Sequence, residues 1–126
     1  MSAHILLAVS VGGALGSLLR YLLTLASRSA WPDWPLGTLA VNVLGSLVMG
    51  LLFALFLQRP SPEWLRLGLM TGVLGGFTTF SAFSLDTLQL WQSAGLLSTA
   101  LYVSMNVTLS LLACATGVGL FRLAFS

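Results

Sequence analysis

The residues able to do chemistry in this chain are hydroxyls, carboxamides and phenyl rings set inside apolar stretches. Tyr102, Asn106, Ser110 and Cys114 fall every fourth residue in an otherwise apolar run, which on a helix draws one slowly winding polar stripe. Asn42 stands in another apolar run. A serine or threonine in a membrane helix can bond its own backbone, whereas a carboxamide needs partners beyond its own turn, most often as glue between helices. Phe80 and Phe83 are three apart, beside Ser81 and Ser84 and directly after Gly75-Gly76-Phe77-Thr78-Thr79. The plain reading of the two rings is aromatic packing. The chemical reading uses the electropositive rim of each ring, which can flank an anion without a formal charge.

Asparagine, serine, threonine and tyrosine offer neutral donors, and no Glu, Lys or His lies mid-span beside them. Such a lining suits a small anion. It can replace water of hydration without trapping the ion, and conduction needs sites that admit an ion and also release it. No nucleophile–base pair or metal-ligand cluster is visible, so enzyme activity is not expected. Cys114 is the only cysteine and can form no intrachain disulfide. The formal net charge of +2 is carried by scattered arginines, with no lysine, and does not make a nucleic-acid surface.

These residues need a membrane scaffold to position them. The chain is 57% hydrophobic and 6% charged, with a mean hydropathy of +0.99, against about 25% charged residues in a soluble domain. A spanning helix takes roughly 20 apolar residues. The pattern predicts one all-α integral membrane domain over 1–126, with four transmembrane helices at about 4–26, 37–57, 65–91 and 96–123. The first is read as a retained helix, because its leading region has only His4 and no convincing cleavage site follows. Trp31-Pro32-Asp33-Trp34-Pro35 and Gln58-Arg59-Pro60-Ser61-Pro62-Glu63-Trp64 read as interfacial connections, since tryptophan favours the headgroup level.

The third span is expected to break near Gly75 to Thr79, where paired glycines and hydroxyl residues are poor helix material. Non-helical backbone at membrane depth is tolerated only when buried in protein or lining a polar cavity. Small residues at four-residue spacing, Gly12/Gly16, Ser46/Gly50 and Gly68/Gly72/Gly76, predict close helix packing and association. Arg20 is expected to snorkel to the interface or to form a cationic vestibule, and Asp86 to reach headgroups or pair with an arginine. Arg59, Arg66 and Arg122 fall on one side of the membrane and Arg20 and Arg28 on the other. So weak a bias permits insertion either way up, and with it an antiparallel pair of identical chains.

Three segments together resemble the Fluc/CrcB family of fluoride channels: Gly12-Gly13-Ala14-Leu15-Gly16-Ser17-Leu18-Leu19-Arg20-Tyr21, Gly37-Thr38-Leu39-Ala40-Val41-Asn42-Val43-Leu44-Gly45, and Gly72-Val73-Leu74-Gly75-Gly76-Phe77-Thr78-Thr79-Phe80-Ser81-Ala82-Phe83-Ser84. The likeness covers essentially the whole chain, and the third segment is its most specific part. It implies passive fluoride export that relieves fluoride toxicity, in a bacterial inner membrane, through an antiparallel dual-topology homodimer with two pores. It also implies a structural sodium ion at the dimer centre, held by the backbone carbonyls of Gly75 and Thr78. By the same resemblance Asn42, Phe80 and Phe83 are pore residues with Thr79 and Ser81 beside them. Tyr102, Asn106 and Ser110 form a polar track, and Arg20 stands in the vestibule. The implied partners are fluoride, a second copy of the chain and membrane lipid, with no nucleic acid.

Two other functions compete. A proton-coupled exporter of cationic drugs needs a titratable carboxylate deep in the membrane, and the one candidate, Asp86, falls toward a helix end. A non-conducting assembly subunit accounts for the glycines, but not for the hydroxyl and phenylalanine cluster.

Overall fold

Lipid offers backbone groups no hydrogen bonds, so an apolar chain must satisfy its backbone within its own segments. The computed structural model describes all 126 residues, and every regular element in it is helical. α1 spans Ala3–Ala30 and α2 Leu36–Gln58. A third stretch is composite, with α3 at Glu63–Leu67, a π-helical segment at Gly68–Leu74 and α4 at Gly75–Phe77. α5 covers Ser81–Phe125 and is two helices meeting at Gly95, whose φ of 81° and ψ of −171° only glycine adopts freely. By length and composition, α1, α2 and the stretch Glu63–Phe125 are each apolar enough to cross a membrane.

α1 runs a turn beyond the expected residue 26. Ser27, Arg28 and Ser29 continue it, and the first true breaker is Pro32. Arg28 in the last turn also complements the negative end of the helix dipole.

In the third stretch the helical ladder stops at Phe77 and restarts at Ser81, with Thr78 extended at φ −79° and ψ 158°. The glycine pair itself remains helical, Gly75 having φ −63° and ψ −36°. The interruption therefore lies C-terminal to the glycines, of which Gly76 serves close contact instead of unwinding. A Cβ on Gly76 would run into the Gly13 carbonyl and lie 3.1 Å from the Ser17 amide. On the facing helix, a Cβ on Gly16 would strike the Val73 carbonyl. α1 and the composite stretch thus meet backbone to backbone, as small-residue spacing predicts.

α2 and the second half of α5 pack the same way: a Cβ on Gly50 would meet the Cys114 carbonyl, and one on Gly117 the Leu47 carbonyl. Leu39, Phe83, Leu90 and Tyr102 form the buried core, with Trp34, Leu36, Val43 and Val103 packed around it. Leu18, Leu22, Leu97 and Leu111 point outward, an arrangement that lipid accommodates and water does not.

Candidate functional site

The packing of α2 on α5 brings together two polar ladders of equal spacing. Thr38, Asn42 and Ser46 repeat every four residues on α2, as Tyr102, Asn106 and Ser110 do on α5. The ladders join where Asn42 Nδ2 donates to Asn106 Oδ1 at 2.9 Å. Beside this junction opens a cavity of about 440 Å³. Asn42 and Ser46 line it from α2, Asn106 and Ser110 from α5, and Gly75, Thr78, Thr79, Phe80 and Phe83 from around the interruption.

The interruption is held from outside its own ladder. Asn42 Oδ1 accepts from the Thr79 amide at 2.8 Å, and Asn42 Nδ2 donates to the Thr79 carbonyl at 2.9 Å. Thr79 Oγ1 accepts from the Ala82 amide at 3.0 Å. In a continuous helix those two amides would serve the carbonyls of Gly75 and Thr78. Diverted as they are, they leave both carbonyls without a hydrogen bond in the chain. The first turn of α5 likewise leaves the amides of Phe80, Ser81 and Phe83 without an acceptor. These free N–H groups carry the positive end of the helix dipole, and Phe80 and Phe83 among them belong to the cavity lining.

Phe80 and Phe83 meet edge to face, with ring centroids 5.3 Å apart and planes at 64°. Phe83 is buried, whereas Phe80 is 76% exposed although it flanks a polar cavity. Tyr102 lies beneath Phe83 at 5.6 Å between centroids and is fully buried. Tyr102 Oη, Asn106 Nδ2 and Ser110 Oγ are all buried with no hydrogen-bond partner. One such orphan costs about 1–3 kcal/mol. Of the three residues, Asn106 and Ser110 line the cavity, where a polar species can meet their side chains.

Arg20 does not snorkel outward. It is half-buried and its Nε–H donates to the Gly76 carbonyl at 3.0 Å. It lines a second cavity, of about 360 Å³, with Ser17, Thr24, Arg28, Thr38 and Asp86. Asp86 accepts a hydrogen bond from the Thr38 hydroxyl instead of pairing with an arginine.

Most expected residues therefore gather around the Asn42–Asn106 junction, and three stand apart from its cavity: Arg20 in the second cavity, Ser81 and Tyr102. Ser81 is exposed, with Oγ 3.4 Å from Thr79 Oγ1, and Tyr102 is sealed behind Phe83. Sequence reasoning did not place Thr38 and Ser46 at the site, and it expected headgroups or an arginine, not Thr38, as the partner of Asp86. The signal for the first two was available, since their spacing about Asn42 repeats that of the α5 stripe.

Apolar helices built to cross a membrane, packed around a neutral and donor-rich interior at an interrupted helix, define a multi-pass membrane protein. The chain belongs to the family described as CrcB-like protein, Camphor Resistance (CrcB), which it matches over residues 7–118. It is 49% identical over 124 residues to the fluoride-specific ion channel FluC of Paracoccus denitrificans, covering 98% of each chain. To the protein of that name from Rhizobium meliloti it is 50% identical over 122 residues, covering 94% of this chain and 96% of the relative. The Agrobacterium fabrum protein of the same name is 46% identical over 119 residues, covering 93% and 95%.

Proposed function

We propose that this protein is a passive, fluoride-selective channel that lets fluoride leave the cell across the inner membrane. The observation that carries the reading is the stripe of buried, unpartnered donors on α5. The Asn106 and Ser110 side chains, which line the cavity, can replace the hydration of a small anion in sequence. The free amides at the start of α5 and the rims of Phe80 and Phe83 add partial positive charge without a full one. That balance favours entry while leaving release possible. Arg20, anchored in the adjoining cavity, attracts anions toward the path. The names of the relatives support fluoride as the ion.

The chain crosses the membrane four times, as α1, α2, the stretch from Glu63 to the Gly95 turn, and residues 96–125. It works as an antiparallel homodimer. Phe80 supports this, since a second copy would cover a ring that one chain leaves exposed at the cavity. The free carbonyls of Gly75 and Thr78 fit a hard cation, and a second copy doubles the set. They would hold the structural sodium ion, which neutralises carbonyl dipoles at the dimer centre.

Efflux from proteoliposomes, comparing fluoride with chloride in the presence of a potassium ionophore, tests the proposal. Rapid fluoride release with little chloride release is expected. No fluoride release from folded, dimeric protein would leave only the membrane fold standing.

A further inference from the structure

A trench of about 640 Å³ runs along the contact between α1 and the composite third stretch. Ala8, Gly12 and Gly68 form its floor, and their small size lets the two backbones touch: a Cβ on Gly12 would strike the Gly68 carbonyl. Larger side chains flank that contact, Leu7, Val11 and Leu15 from α1 and Leu69 and Val73 from the third stretch. The three on α1 are each more than half exposed. The two segments run in the same direction, since Gly12 meets Gly68 and Gly16 meets Val73. His4 and Trp64 therefore share one end of the trench, the only end with polar groups.

The length of the trench matches half a membrane. From His4 to Leu15 α1 rises about 16 Å, and the hydrocarbon of one leaflet is about 15 Å deep. Tryptophan favours the headgroup level, so the trench reaches from the interface at Trp64 to the bilayer midplane at Leu15. It also faces away from the cavity beside Asn42. Val73 lines the trench and Gly75 lines that cavity, and two residues apart on a helix they point to opposite sides. A second copy seated at the cavity thus leaves the trench to lipid. The end onto which it opens carries Arg59, Arg66 and Arg122 against Glu63 alone, a balance that attracts anionic headgroups.

We propose that the trench is a binding site for one anionic phospholipid, with an acyl chain laid along Leu7, Val11 and Leu15 and the headgroup at His4 and Trp64. Lipid tails are as apolar as leucine, so the chain is held by packing against the small-residue floor, and the headgroup by charge. In the antiparallel pair proposed above the two trenches open to opposite leaflets, one lipid in each. The site rests on the membrane class of the protein and not on the ion that it carries.

The unaltered protein, reconstituted in vesicles of equal phosphatidylglycerol and phosphatidylcholine and extracted in mild detergent, is weighed by native mass spectrometry. One phosphatidylglycerol per chain is expected to remain bound. Val11→Trp places an indole in the trench and should lose it. Leu22→Trp, as exposed on the same helix but beyond the trench, should keep it. If Val11→Trp does not fold, Leu15→Trp at the deep end takes its place.

No retained lipid in the unaltered protein, or retention of the two lipids in the proportion of the vesicle, overturns the proposal, the latter being boundary lipid only. Lipid retained equally by the Val11→Trp and Leu22→Trp variants overturns the location. A lipid-free parent dimer whose Val11→Trp variant is monomeric would make the trench a contact between copies instead. A protein that carries no fluoride would remove the channel reading and leave the lipid count standing.

Discussion

Asn42 and Thr79 are joined by two hydrogen bonds, one through each end of the carboxamide, so that a side chain pairs both backbone groups of a residue 37 positions away. Thr79 lies between Phe77, where the helical ladder ends, and Ser81, where it resumes. Its N–H and C=O would otherwise be exposed to a medium with no partners to give. Asn42→Leu removes both bonds at nearly constant volume. It is expected to cost about 2–6 kcal/mol, at about 1–3 kcal/mol for each of the two stranded backbone groups. Unfolding in detergent with a graded denaturant measures this, and a variant as stable as the parent would show that something other than Asn42 holds the interruption.

The contact between α1 and the composite third stretch gives a sharper test of packing. Gly13 and Gly16 lie three residues apart on one helix but differ in what a methyl would meet. At Gly16 it would strike the Val73 carbonyl and lie 2.9 Å from the Phe77 amide; at Gly13 its nearest neighbour is 3.9 Å away. Neither backbone obstacle at Gly16 can move aside as a side chain can. Gly16→Ala should destabilise by about 1–3 kcal/mol, in the range of other overpacked sites. Gly13→Ala should be close to neutral. Equal melting temperatures for the two variants would contradict the contact.

Arg20 links that same interface to the proposed vestibule. Its Nε–H is committed to the Gly76 carbonyl, while its guanidinium lines the second cavity. Arg20→Gln should slow fluoride efflux severalfold at low ionic strength and less at high, because salt screens attraction over about 10 Å at 0.1 M. Arg20→Lys keeps the charge but has no planar Nε–H for Gly76, so it should fall between the two. Salt-independent loss in Arg20→Gln would remove the steering role and leave only the Gly76 tie.

Sodium enters through the two free carbonyls. If Gly75 and Thr78 hold it, exchange of sodium for a bulky organic cation should lower the thermal stability of the purified protein. Restoring sodium should reverse the loss in a concentration-dependent way, by about 2.7 kcal/mol at a hundredfold excess over the dissociation constant. A melting temperature indifferent to sodium would count against a bound ion there, whatever the flux does.

The lengths of the apolar helices and the polar spacing on α5 are legible in the sequence because both are local. A span expected at 37–57 appears as Leu36–Gln58. The position of the interruption is less legible. Gly75 and Gly76 have the weakest helix propensity in their neighbourhood, yet both stay helical, with α1 packed directly against Gly76, and Thr78 carries the extended geometry instead. The partners of Arg20 and Asp86 are 56 and 48 residues away, and nothing in either neighbourhood announces them. At the site, residue type alone identifies Asn42 and Asn106 as candidates. Which carboxamide is fully used and which is free depends on a bond to Thr79 that exists only once the chain has folded.

The phenylalanines carry the most specific chemical claim. Phe83 is buried in the core against Tyr102, so changing it mixes packing with electrostatics. Phe80 is 76% exposed, and its ring contributes little to the fold of a single chain. Phe80→Ile keeps an apolar side chain at the cavity and deletes the electropositive rim. Interactions of a ring quadrupole are worth about 0.5–1.5 kcal/mol, so fluoride flux should fall about two- to tenfold while the protein remains a folded dimer. A purely steric role predicts the opposite sign, because the smaller side chain would widen the path and speed both fluoride and chloride. Measuring the two ions in the same vesicles separates these outcomes. A variant that carries fluoride at the parental rate would mean that Phe80 flanks the path without touching the ion.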